Sequence, residues 1–188
     1  LAVAEGPGDL APGTPEARFD GGTLHGTKVP VPDGDVAGLA VVLAREGNGQ
    51  SLALVELGAK GVTQAPLRSF DPSRSMARLE FAGAPAERLG AAGKGAELAS
   101  GLLDRAAAMM AFEQIGGASR ALDLTREFTM NRWAFGRPVA SFQALKHRMA
   151  DLYAAIELAR SNAYYGAWAL SHDAPELATA APAARVAA

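Results

Sequence analysis

The chain has 188 residues, is 49% hydrophobic and 20% charged, and carries a formal net charge of -2. That is enough length for a real core in one or two domains, and no stretch reaches the roughly 18 apolar residues of a membrane span. With no cysteine there is neither a disulfide framework nor thiolate chemistry, and mild acidity without a basic stripe argues against a nucleic-acid partner.

The opening, "LAVAEG", has no methionine and no basic-plus-apolar leader, and reads as the first strand of something already under way. The close, "LATAAPAARVAA", carries no obvious stop signal, so the expectation is a piece of a longer protein. Residues 1–90 hold most of the glycines and prolines and run in short stretches of period two. "EARFDGGTLHGTKV" predicts a strand, a turn at Asp20-Gly21-Gly22 and a second strand. "LAVVLAREGNGQSLALVEL" predicts another hairpin, turning at Gly47-Asn48-Gly49. Both turns use residues that tolerate positive φ, as tight hairpins require. "SMARLEFAGAPAERL" adds a further strand, and the spacing predicts a small antiparallel barrel or sandwich. "GAAGKGAEL", Gly90 to Leu98, has a faint phosphate-loop look but the wrong spacing and no Ser/Thr after its lysine; a strand-to-helix linker is the better reading.

From about Gly95 the period becomes helical, with no proline through Trp133. At about 1.5 Å per residue this predicts a helix roughly 55–60 Å long. Its segment Ala106–Phe112, "AAAMMAF", is apolar on every face, which predicts burial within a bundle. Gly116 and Gly117 weaken the helix and are read as sites of close helix packing. A second helix is predicted from Pro138 to His172. Phe142, Leu145, Met149, Leu152, Ile156, Ala159, Ala163, Gly166 and Leu170 step by three and four along one narrow seam, with small residues late in it for close approach. Two such helices cannot bury both faces alone, so further helices are expected from the rest of the chain or another subunit. The class is therefore α+β, with a β-domain at 1–90 and a helical domain at 91–188.

Chemistry concentrates between the helices, in "NRWAFGRPVASFQ". Gly136 suits a helix end and Pro138 a helix first turn. Arg132 and Gln143 near a helix N-terminus would suit an anionic ligand such as a pyrophosphate, and Phe135 a flat ring. His25, His147 and His172 are isolated, which predicts no metal site, and no Gly-x-Ser-x-Gly elbow supports a serine nucleophile.

The stretch Ala121–Leu170 resembles the C-terminal domain of flavin-dependent acyl-CoA dehydrogenases. That family carries an arginine, two residues, Phe-Gly, a proline or aliphatic, then Phe-Gln or His-Gln. Arg132, Phe135, Gly136, Pro138 and Gln143 match it in type and spacing. "LAVAEGPGD" resembles the family's Thr-Glu-Pro-x-x-Gly-Ser-Asp segment, and "TLHGTKVPVPDGDVAGLAVVLA" its Leu-x-Gly-x-Lys strand. The resemblance implies the middle β-domain and the opening helices of a C-terminal four-helix bundle, in a homo- or hetero-oligomer built as a dimer of dimers. It implies FAD between β-domain and bundle. Arg132, Trp133, Ala134, Phe135, Phe142 and Gln143 would contact the FAD of a neighbouring subunit. Leu1 to Gly8 and Pro30, Val31 and Pro32 would face the isoalloxazine, and Asp104 would help bind acyl-CoA.

The implied reaction is α,β-dehydrogenation of an acyl-CoA thioester, as in fatty-acid β-oxidation, with electrons passing to an electron-transfer flavoprotein. The usual catalytic glutamate is expected beyond Ala188, and the alternative helix position holds Ala106, beside Ala107 in place of a frequent arginine. Ala4 replaces a common threonine, the Gly-Ser-Asp element is reduced to Gly8-Asp9, and Pro30 and Pro32 replace a common tryptophan and threonine. Glu113 lies about two turns from the alternative position. No catalytic residue is therefore assigned. The departures leave three readings: a divergent dehydrogenase, a non-catalytic partner subunit, or a related oxidase or monooxygenase on the same scaffold. The composition style suggests a bacterial cytoplasmic protein.

Overall fold

The structure is a computed structural model that describes residues 1–6, 13–71 and 73–188. The element Gly8-Asp9 lies outside the described residues. The chain divides into two compact units, Leu1–Gly101 and Leu102–Ala188. The sequence alone put the change of structure near residue 90. The contacts put it after Gly101, because Ala99, early in the first helix, packs with Leu43 and Leu52 of the sheet.

The first unit is a closed sheet. Strands β1 (Arg18–Asp20), β2 (Thr23–Pro32), β3 (Leu39–Glu46), β4 (Gly49–Glu56), β5 (Val62–Pro66) and β6 (Met76–Leu89) run in the order β2-β1-β3-β4-β6-β5, and a β2–β6 pairing closes the ring. Both expected hairpins are present, with Gly21 and Gly22 at φ 55 and 89 and Gly47 at φ 56. Pairing is not wholly antiparallel: β1 also meets β3 in parallel, and Ala2 and Glu5 form parallel bridges to Val42 and Val29. Strand β5 was not anticipated; it is short, mostly exposed, and rides on β6 at Val62↔Phe81. Phe19, Leu24, Val42, Val55, Leu79 and Phe81 fill the interior.

Lys28 sits among these apolar residues with no exposed surface. Its Nζ donates to the Val3 carbonyl at 3.0 Å and to Glu5 Oε1 at 2.7 Å. Glu5 also accepts from the N–H groups of Glu16 (2.6 Å) and Ala17 (3.0 Å). One buried cation thus ties the N-terminal segment to β2, and its counter-ion ties that segment to the entry of β1. Two residues earlier, Gly26 has φ +123, and a Cβ there would lie 2.7 Å from Ala17 Cα. The glycine is required by backbone passing over backbone.

Gly90–Lys94 join β6 to the first helix, so the linker is shorter than the Gly90–Leu98 read from the sequence, whose last four residues are helical. Gly95 is explained by contact and Gly93 by its positive φ of 78. A Cβ on Gly95 would lie 2.5 Å from Ser51 Cα, and the Gly93 N–H donates to Ser51 Oγ at 3.2 Å. Ser51 in turn donates to Glu46, which Arg88 pairs at 2.7 Å.

The second unit is helical. Helix α1 (Gly95–Asn131) has 37 residues, begins in the first unit and runs through the second; α2 (Gln143–Ser171) has 29 and α3 (Leu177–Ala187) has 11. Helix α3 was not anticipated, since its alanine-rich run contains Pro182 and gives no clean period. It covers the late half of the α2 seam: Ala159, Ala163 and Gly166 are buried, and a Cβ on Gly166 would lie 3.2 Å from Ala184 Cβ. Leu145 and Leu152, earlier in the seam, stay exposed. The expectation for Ala106–Phe112 needs correction. Ala108 and Ala111 are buried, but Met109 is exposed, because α2 and α3 cover only part of α1. Gly116 and Gly117 also depart from expectation, since a Cβ on either meets nothing within 4 Å.

The ion pair generates a test. Burial disfavours the Glu5 carboxylate, but Lys28 and the two N–H groups overcome this and hold its pKa below the ordinary 4.5. Glu5 therefore contributes stability that is present above pH 4.5 and is lost as pH falls through its lower folded value. Glu5→Gln leaves a buried lysine unpaired and is expected to cost up to about 3 kcal/mol in urea unfolding and to remove that acid-limb slope. Lys28→Met removes the buried charge itself and is expected to cost less. A larger loss for Lys28→Met would contradict this account.

Candidate functional site

Helix α1 stops at Asn131, and the next eleven residues do not form a simple helical turn. Strands β7 (Trp133–Ala134) and β8 (Arg137–Pro138) pair as a minimal hairpin, Trp133↔Pro138 and Ala134↔Arg137. Phe135 and Gly136 make its two-residue turn at φ 54 and 76, the double positive-φ geometry that matches strand twist. A 3-10 turn, Val139–Ser141, follows, and extended Phe142 starts α2 at Gln143.

Three sequence expectations are corrected here. Gly136 is not the helix end but the second residue of the hairpin turn, and Pro138 is not in the first turn of α2 but in β8. Gln143 is the first residue of α2, not one turn into it, because the extended Phe142 interrupts the helix at that point. The hairpin is held at its base, where the Val139 N–H donates to the Arg132 carbonyl at 2.7 Å.

The turn presents side chains outward. Phe135 is 94% exposed although a non-glycine residue in left-handed backbone is strained. Its ring meets Phe142 edge-to-face, centroids 6.2 Å apart and planes at 85°. Arg132, Trp133 and Gln143 are exposed and Ala134 is half-buried. The Gln143 amide reaches His147 Nε2 at 3.3 Å. No side chain caps α2, and the N–H groups of Leu145 and Lys146 donate to the Phe142 carbonyl at 3.1 and 3.2 Å. A cation, an uncapped helix start, an amide and an exposed aromatic ring on one short connection fit an anionic group attached to a flat ring.

In the first unit, the two segments expected to face a flavin lie side by side. The Val29 N–H donates to the Ala4 carbonyl at 2.8 Å, which sets Val3–Glu5 along the end of β2. Val31 turns its side chain into the core, Pro30 is half-buried and Pro32 exposed. Prolines carry no N–H, that of Val29 is taken, and Val31 is paired with Ala77 in the β2–β6 ladder. This edge can wall a ring with aliphatic surface but has little to donate to it.

Asp104 lies half-buried on α1. At about 1.5 Å per residue, 28 residues separate it from Arg132 by roughly 40 Å along one helix. The structure does not bring Asp104 and the turn to one place. Ala106 is exposed, and neither it nor Ala107 can serve as a base.

The strained Phe135 allows a direct check. Phe135→Gly relieves left-handed backbone at the expense of a more flexible unfolded chain, so stability is expected to change by less than about 1 kcal/mol. A loss of several kcal/mol in thermal or urea unfolding would show that the ring supports the fold and is not held out for a ligand.

Comparison with known proteins bears on this arrangement. Residues 93–188 match the family model of the acyl-CoA dehydrogenase C-terminal domain. The acyl-CoA dehydrogenase IpdE2 of Mycobacterium tuberculosis is 40% identical over 131 residues, which cover 70% of this chain and 36% of that protein. Among solved structures, the Tcur3481-Tcur3483 steroid ACAD matches with TM-score 0.83 and 32% identity, over 99% of this chain and 50% of that one. Butyryl-CoA dehydrogenase from Megasphaera elsdenii matches with TM-score 0.84 and 28% identity, over 91% of this chain and 48% of its own. The chain spans between 36% and 50% of the length of these three relatives. With its helical half matched to the family model and nearly its whole length shared with solved acyl-CoA dehydrogenases, the chain belongs to the acyl-CoA dehydrogenase family.

Proposed function

We propose that this chain is part of an FAD-dependent acyl-CoA dehydrogenase subunit that catalyses α,β-dehydrogenation of an acyl-CoA thioester. The observation that carries the reading is the connection between α1 and α2, where Arg132, Phe135 and Gln143 are turned outward beside an uncapped helix start. FAD would supply the acceptor for the β-hydrogen, which leaves the acyl group as hydride while a base takes the α-proton. The residues of this chain hold and orient. Arg132 would pair with the pyrophosphate, the Gln143 amide and the first N–H groups of α2 would bond its oxygens, and Phe135 would pack on a flat ring of the nucleotide. Trp133, Ala134 and Phe142 line that contact. Pro30 and Pro32 would wall the isoalloxazine with aliphatic surface, whereas Val31, expected beside them, is turned into the core; Asp104 would bond the acyl-CoA.

The roughly 40 Å along α1 between Asp104 and Arg132 supports a further point. The two residues serve different sites, with Arg132 reaching the nucleotide of a neighbouring subunit in an oligomer built as a dimer of dimers. Electrons leave to an electron-transfer flavoprotein. Ala106 and Ala107 favour one second reading, a partner subunit that completes its neighbour's FAD site and performs no chemistry.

The two readings separate in the visible spectrum of the full-length protein. Flavin that co-purifies and bleaches when an acyl-CoA thioester is added anaerobically is expected for the dehydrogenase. Flavin that is absent until a second polypeptide is co-expressed would overturn it in favour of the partner subunit. Arg132→Ala removes a charge-assisted contact and is expected to weaken FAD binding about 10- to 100-fold with helix content unchanged by circular dichroism. Undiminished FAD binding by that variant would remove Arg132 from the site.

A further inference from the structure

The second arginine of the connection has no role in that reading, and its geometry is unlike that of Arg132. Arg137 lies opposite Ala134 on β8, and its Cζ stands 4.1 Å from the centroid of the Phe142 ring. At that distance a guanidinium is held by the face of the ring, by dispersion and by the attraction of a cation to the π-cloud. Among the described residues Arg137 makes no ion pair with a carboxylate. Phe142 is therefore gripped on one face by Arg137 and meets Phe135 edge-to-face at 6.2 Å. The three side chains form a short stack that begins on a strand of the hairpin, passes through the residue preceding α2, and ends on the exposed ring at the hairpin tip.

We propose that Arg137 is a positioning residue for the flavin nucleotide: by gripping Phe142 it fixes Phe135 for contact with the nucleotide and does not itself bind phosphate. The inference rests on the reading of the connection as an FAD contact. Phe135 has little else to hold it, being 94% exposed on a two-residue turn. A ring free to move in water would lose conformational freedom on meeting a ligand; a ring already held against Phe142 loses less. Arg132 acts by charge on the ligand, whereas Arg137 acts by stacking within the protein, and the two modes respond differently to salt and to each other's removal.

The test compares Arg137→Ala, Phe142→Leu, the double variant and Arg132→Ala in the full-length protein. FAD affinity is measured by fluorescence titration of the apoprotein at several salt concentrations. The ring itself is followed without FAD, by fluorine NMR of 4-fluorophenylalanine placed at position 135. Arg137→Ala and Phe142→Leu are each expected to weaken FAD binding about two- to fivefold, the size of one exposed cation–π contact. The double variant is expected to be no worse than the weaker-binding single, and the salt dependence of Arg137→Ala to equal that of the unaltered protein. The fluorine resonance is expected to shift in Arg137→Ala with no FAD present. A flattened salt dependence, like that of Arg132→Ala, would make Arg137 a phosphate ligand and overturn the proposal. Additive losses, or an unmoved fluorine resonance, would overturn it too. If Arg132→Ala weakens FAD and Arg137→Ala does not, this proposal alone fails. If neither does, the FAD reading of the connection has failed and takes the proposal with it.

Discussion

A lysine with no access to water, placed inside a small barrel, constrains the first unit more than any apolar contact does. Lys28 cannot be left without partners, because an unpaired charge in that interior is disfavoured by several kcal/mol. Its partners, the Val3 carbonyl and Glu5, lie on a segment that belongs to no long strand. The need to satisfy Lys28 therefore decides where that segment runs, and Glu5 passes the constraint on through the N–H groups of Glu16 and Ala17. Burial lowers the lysine pKa and Glu5 partly restores it, so the pair offsets part of the desolvation that the buried cation incurs. The consequence reaches the end of β2. Once Val3–Glu5 is fixed, Ala4 takes the Val29 N–H, and Pro30–Pro32 is left as an aliphatic edge.

A comparable economy governs the second unit. Two helices of 37 and 29 residues are joined by a connection that must reverse the chain, and a bare loop would do so. What the chain uses is a two-residue hairpin with one glycine and one phenylalanine, both in left-handed backbone. The strain at Phe135 yields no burial in return, since its ring faces outward. That strain, beside an arginine and an uncapped helix start, is what the proposed ligand contact would account for.

Much of this was legible in the sequence. The Gly21-Gly22 and Gly47-Asn48 turns announce their hairpins because few residues adopt those angles. The long helices follow from period and absence of proline, and the Ala159–Ala163–Gly166 face from its small residues. The Leu24-x-Gly26-x-Lys28 spacing was recognised as a family resemblance, but its reasons became visible only in three dimensions: Gly26 yields to Ala17, and Lys28 reaches Glu5. Other features had no local signal. Strand β5 is too short and exposed to alternate, and α3 is an alanine-rich run interrupted by Pro182. The glycines of Gly90–Gly95 resembled a phosphate loop, whereas Gly95 answers to the backbone of Ser51 and Gly93 to its hydroxyl. In the candidate site, residue types were readable and their arrangement was not. Period alone cannot show that Phe135 takes positive φ, that Phe142 breaks the helix before Gln143, or that Arg137 lies on Phe142.

The central claim is that the α1–α2 connection touches the flavin nucleotide. It is tested most directly by loading the full-length protein with FAD that carries a photoreactive azide on its adenine ring, irradiating, and mapping the labelled peptides by mass spectrometry. The account predicts label within Arg132–Gln143. Label confined to other parts of the protein, with that peptide unmodified at full FAD occupancy, would contradict it.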